Sequence, residues 1–152
     1  LDVWTETGIS GYQSNLNIIN IFADLGYNIN VAPWNTDQTP WDMAWVNWML
    51  KRSGYRYTQS VDAWDIRNNT ASFGATSLSP YDAKAGDIAL WDYGHVNFVK
   101  EVLPDGKLTF IGACQSLPSE PQRGKITTSW PKGYDLYNNN SSLIGIYRPT
   151  TI

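Results

Sequence analysis

His95 and Cys114 are the only histidine and the only cysteine in this chain of 152 residues. A thiol and an imidazole brought together by folding form a nucleophile and its base, because the ring takes the thiol proton and later returns it to a leaving group. The sequence between them reads as a hairpin that could make that meeting. His95 opens a run with His95, Asn97, Val99 and Glu101 on one face and Val96, Phe98, Lys100 and Val102 on the other. Leu103-Pro104-Asp105-Gly106 supplies the turn, proline presetting one position and glycine another. Lys107 to Gly112 is rich in strand formers, and Cys114 lies just beyond.

Register decides whether the two groups face each other. If Val102 pairs with Lys107, His95 lies opposite Cys114 on the same face. If Leu103 pairs with Lys107, Cys114 points away unless a bulge intervenes. The Pro-Asp-Gly loop admits both.

Asp42 is a third candidate. Thr39-Pro40-Trp41-Asp42 reads as a helix start, with Thr39 as cap, proline in the first turn and an acid three residues after the cap. The following Met43 to Leu50 is apolar almost all round, which predicts a buried helix, with Lys51 and Arg52 at its negative end and Gly54 closing it. Each candidate also has a structural reading: Asp42 as a capping acid, Cys114 as a small buried hydrophobe, His95 as a satisfied histidine. Eight Trp and nine Tyr are many for this length. Trp34, Trp41, Trp91 and Tyr93 could floor a groove, Trp45 belongs to the core, and Gln115 could donate to an oxyanion.

The elements that must position these residues follow from the rest of the chain. A covering helix is expected from Gln13 to Gly26, with Leu16, Ile19, Phe22, Ala23 and Leu25 at helical spacing. Residues 28–38 read as a loop, 61–69 as a short helix capped by Ser60, and 70–80 as a polar loop. Residues 86–92 lead a first strand into the turn before His95, while 124–130 and 143–148 read as further strands. No repeat, linker or second domain is visible, so residues 1–152 read as one domain, with 1–37 covering a core of 38–149.

Composition narrows the function classes. A net charge of −3 gives no basic footprint for nucleic acid. A single cysteine excludes an internal disulfide, one histidine among scattered acids is too few for a metal site, and no apolar run is long enough to span a membrane. The start at Leu1 carries neither Met nor a signal pattern, which reads as an excised domain or a removed leader.

The motifs Thr39-Pro40-Trp41-Asp42-Met43-Ala44-Trp45-Val46-Asn47-Trp48, Ala85-Gly86-Asp87-Ile88-Ala89, Gly94-His95-Val96, Ile111-Gly112-Ala113-Cys114-Gln115-Ser116 and Ile144-Gly145-Ile146-Tyr147-Arg148-Pro149 together resemble the CHAP and NlpC-type cysteine peptidases of bacterial cell walls. The resemblance implies an α+β, papain-like fold in which a buried helix near the N-terminus packs on an antiparallel sheet. It puts the general base on His95, the usual nucleophile position on Asp42, and the orienting position, often Asn, on Cys114. Here the chain departs from its relatives, and the departure suggests that nucleophile and orienter have exchanged places around one imidazole.

The expectation is therefore a peptidoglycan amidase or endopeptidase with a Cys114, His95 and Asp42 triad and no cofactor. It would be secreted or delivered to the periplasm or wall as a phage lysin, or as an antibacterial toxin with an immunity protein as partner. The alternative is an inactive module of the same fold that binds wall peptides or a protein.

Overall fold

The computed structural model describes residues 5–7, 14–115, 125–128 and 142–152. In chain order the elements are α1 (Leu16–Asp24), α2 (Asp42–Arg52), α3 (Asp65–Asn68), α4 (Thr70–Phe73), β1 (Thr76–Leu78), β2 (Ile88–Trp91), β3 (His95–Val102), β4 (Leu108–Gln115), β5 (Lys125–Thr127) and β6 (Leu143–Arg148). The strands form one six-stranded sheet in the order β1-β6-β2-β3-β4-β5, and its neighbours pair antiparallel. This is an α+β fold with helices packed on an antiparallel sheet.

Helix α2 is the element against which the sheet is built. Met43, Ala44, Trp45, Val46 and Leu50 are buried, and the helix lies on β3 and β4, with the Trp45 ring edge-on to Phe98 at 5.5 Å. It starts later than its sequence suggested. Trp41 rather than Thr39 occupies the cap without a side-chain bond, so Asp42 is the first helical residue and no capping box forms. The Thr39 hydroxyl donates to the Pro33 carbonyl instead.

Helix α1 packs on α2 through Ile18, Ile21 and Phe22, and Gly26, at φ +98°, follows its end. Leu16, expected on the inner stripe, is 59% exposed, because the buried face is set by Ile18 and Ile21. The helix is thus a partly exposed cover. Residues 61–69 yield only the short α3, since the Ser60 hydroxyl bonds the Asp65 carboxylate and the preceding residues stay in turns. Within the expected polar loop lie α4 and the edge strand β1, whose residues carry no apolar alternation and are held by pairing with β6. The strand expected over 124–130 is seen as β5 within its described part; residues 124, 129 and 130 lie outside the described residues, as do 138–141 of the polar loop before β6.

The β3–β4 hairpin uses both registers. Leu103 N–H donates to Lys107 O at the turn, and Val102 pairs with Leu108, the arrangement that would turn Cys114 away. Between Glu101 and Val99 the register slips, so that Val99 pairs with Phe110 and Phe98 with Ile111, the alternative alignment. Lys100 is the extra residue of that bulge.

Alternation along the strands fills a core on each face. Ile88, Leu90, Val96 and Ala113 join α1 and α2, while Ala89, Trp91, Val99, Leu108, Phe110 and Ile146 form a second cluster in which Trp91 meets Phe110 edge-on at 5.0 Å. Burying each of the larger aliphatic and aromatic side chains contributes about 1.5–3 kcal/mol. Arg148, at the end of β6, donates from Nε and Nη2 to the two oxygens of buried Asp87 at 2.9 and 2.8 Å, pinning β6 to the entry of β2.

Candidate active site

The site lies where α2 begins beside the start of β3. The Asp42 side chain leaves the first turn of α2, whose positive end favours a carboxylate, and one oxygen accepts from Val96 N–H at 3.2 Å. The same oxygen lies 3.1 Å from His95 Nδ1. Both side chains are nearly buried.

The other ring nitrogen is held by Gln115, whose Oε1 lies 2.8 Å from His95 Nε2. The orientation of this amide is fixed from two sides: its Nε2 donates to Thr127 O at 3.1 Å, and Asn97 Nδ2 donates to its Oε1 at 3.2 Å. Asn97 in turn accepts from Trp91 Nε1 at 2.9 Å. Both ring nitrogens of His95 thus face side-chain oxygens.

Cys114 does not hold the ring. Its thiol donates to Glu6 Oε1 at 3.3 Å, and the same oxygen accepts from Trp41 Nε1 at 2.7 Å. The reason is local backbone geometry. Cys114 has φ +58°, in the left-handed region, and the β4–β5 register slips between Gly112 and Gln115. This irregularity interrupts the alternation, so Gln115 takes the ring-facing place that unbroken alternation gives to Cys114. Gly112 makes the exchange possible, since a Cβ there would fall 2.1 Å from Gln115 Oε1. Burial first, then the negative charge of Glu6, push the Cys114 thiol well above its ordinary range, so it remains a neutral donor.

The remaining sequence candidates divide. Tyr93 stands at the site mouth, 57% exposed, with its ring parallel to that of His95 at 6.0 Å. Burial, then Asp92 and Asp42, raise its hydroxyl above the ordinary value. Trp91 is 1% exposed in the second core and floors no groove. Trp41 is fully buried and supports Glu6, and Trp34 packs on Phe22 and Tyr27, in the α1 side of the core. Trp45 is a core residue. Gln115, expected as an oxyanion donor, has its Oε1 on the His95 ring and its Nε2 on Thr127 O.

Two participants were missed by sequence reasoning. Asn97 was visible only as a polar residue on the His95 face. Glu6 had no local signal, because it reaches the site from a distant N-terminal segment. Among the described residues, no group of three or more His, Cys, Asp or Glu could hold a metal ion. A separate cavity of about 350 Å³ opens at the other end of α2, near Ser53 and Arg148, away from this chemistry.

A family model described as CHAP domain matches residues 34–113, which contain Asp42 and His95 and stop just short of Cys114 and Gln115. No curated protein and no solved structure matches the chain.

Proposed function

Because this chain belongs to the CHAP domain family, we propose that it binds the peptide part of peptidoglycan at a site where a carboxylate and an imidazolium stand in for the family's reactive thiolate and imidazolium. Membership supports a hydrolase-like superfamily function. Within it, the ionic pair of Asp42 and His95 keeps the charge pattern of the family site while removing its nucleophile. A carboxylate attacking an amide would form an anhydride, which lies above the amide in energy, so Asp42 is a poor acyl acceptor. The observation that carries this reading is Asp42 on Nδ1 with Gln115 on Nε2. With Asp42 and Gln115 occupying its two ring nitrogens, His95 has no position open to Cys114, whose thiol is turned to Glu6. Tyr93, partly exposed with its ring parallel to the imidazole, adds aromatic surface beside the pair.

The test is a gain of function. The wild-type chain should sediment with purified sacculi and release no dye-labelled fragments. Asp42→Cys should release them, because a thiol at the helix N-terminus beside His95 regains a nucleophile. Cys114→Ala should still release no fragments, because the thiol takes no part in bond cleavage. Fragment release by the wild type that disappears in Cys114→Ala would overturn this reading in favour of a Cys114, His95 and Asp42 triad.

A further inference from the structure

We propose that Glu6 is the positioning residue of this site: it braces the two segments that hold His95 and fixes Cys114 as a hydrogen-bond donor instead of a nucleophile. This rests on the reading of Asp42, His95 and Gln115 as the working site. Trp41 immediately precedes Asp42, Cys114 immediately precedes Gln115, and one oxygen of Glu6 accepts from both Trp41 Nε1 and Cys114 Sγ. A single carboxylate therefore spans from the start of α2 to the end of β4, across the gap in which the imidazole is gripped.

Glu6 is itself held on both sides in sequence. Asn15 Nδ2 donates to Thr5 O at 3.0 Å, and Thr7 donates from N and Oγ1 to Asp37 Oδ2 at 2.8 and 3.1 Å. Asp37 is fully buried and also accepts from Asn15 N and Gln38 Nε2, so the strut is latched to the start of α1 and the loop entering α2. Glu6 is only 8% exposed, and its two partners are neutral donors. Burying a carboxylate on such partners is costly, and a role for its charge accounts for the cost. Among the described residues, the charged groups facing the thiol are Glu6 from the N-terminal segment and Asp42 from α2, and both oppose a thiolate. Beyond Asp42 stands His95 of β3, paired with that carboxylate.

Glu6→Gln keeps the shape and an oxygen for Trp41 but removes the charge. The alkylation rate of Cys114 by iodoacetamide, followed from neutral to strongly alkaline pH, should begin its rise at least about one pH unit lower than in the wild type, a tenfold faster reaction on the rising limb. A purely structural Glu6 would not move that profile, and coincident profiles in a folded variant overturn the inference. A second readout needs no variant. Cys114 gives the only S–H stretching band in the protein, and donation to a carboxylate should lower its frequency below that of a free cysteine thiol in water. An unshifted band overturns the inference. Neither readout involves the wall, so their failure is distinguishable from failure of the wild type to bind sacculi.

Discussion

Gly112 lacks a side chain because the Gln115 amide fills the space beside it, and this makes it the most sensitive residue of the site that carries no chemistry. A methyl group there would also fall 2.6 Å from the Asn97 Cβ, so Gly112→Ala must expel Gln115 or spread β3 from β4. The expected cost is about 1–3 kcal/mol, as for other overpacked positions, together with weaker sacculus binding. Urea denaturation and a sedimentation assay on the same preparation check it; wild-type values in both would refute the placement of Gln115. Tyr93→Ala should behave oppositely. The ring is largely exposed, so stability should change by less than about 0.5 kcal/mol while sacculus affinity falls about threefold to tenfold. His95 and Asp42 could be singled out from the sequence because residue type and motif spacing marked them. Gln115 could not be given its role, because the left-handed φ at Cys114 is written in no residue type: glycine would have announced it and cysteine does not.

At the scale of elements, the segments before α2 are held together by Asp37, which joins residues 5–7, the start of α1 and the approach to α2. Burial alone would raise its carboxyl, but hydrogen bonds from the Asn15 and Thr7 amides, the Gln38 side chain and the Thr7 hydroxyl outweigh burial and lower it below the ordinary 3.8. A depressed carboxylate contributes stability that is fully present above its unfolded value and is lost as pH falls through the folded one. The wild type should therefore lose stability in acid below about pH 4, and Asp37→Asn should be less stable at neutral pH with a flatter acid limb. Urea midpoints measured across that range decide it; parallel curves for the two proteins would remove Asp37 from the latch. The sequence made α2 legible because its apolar residues run all round and its end carries cations. It placed the cap too early, since Thr39-Pro40 mimics a start signal whose hydroxyl is engaged by Pro33 O. Strand β1 was missed for a different reason: an exposed edge of three residues owes its form to β6 and not to its own pattern.

Across the whole molecule, the two faces of the sheet are joined by one chain of hydrogen bonds. It runs from Trp91 in the second core to Asn97, then to Gln115, His95 and Asp42 at the head of α2. Neither hydrophobic cluster could have been assigned to a face from composition, but the alternation in β2 and β3 did foretell that Val96 and Phe98 point one way and Val99 the other. What alternation could not foretell is that a buried indole far from solvent would orient a site residue through two amides. Trp91→Phe tests that link, because it keeps an aromatic ring against Phe110 and removes the N–H together with part of the indole. The variant leaves Asn97 Oδ1 without this donor, which should cost about 1–3 kcal/mol and free the Asn97 amide to turn away from Gln115. If the chain transmits that loss, sacculus binding weakens although no residue at the site mouth has changed. Binding that stays at the wild-type level while the urea midpoint falls would show that Thr127 O alone suffices to fix Gln115.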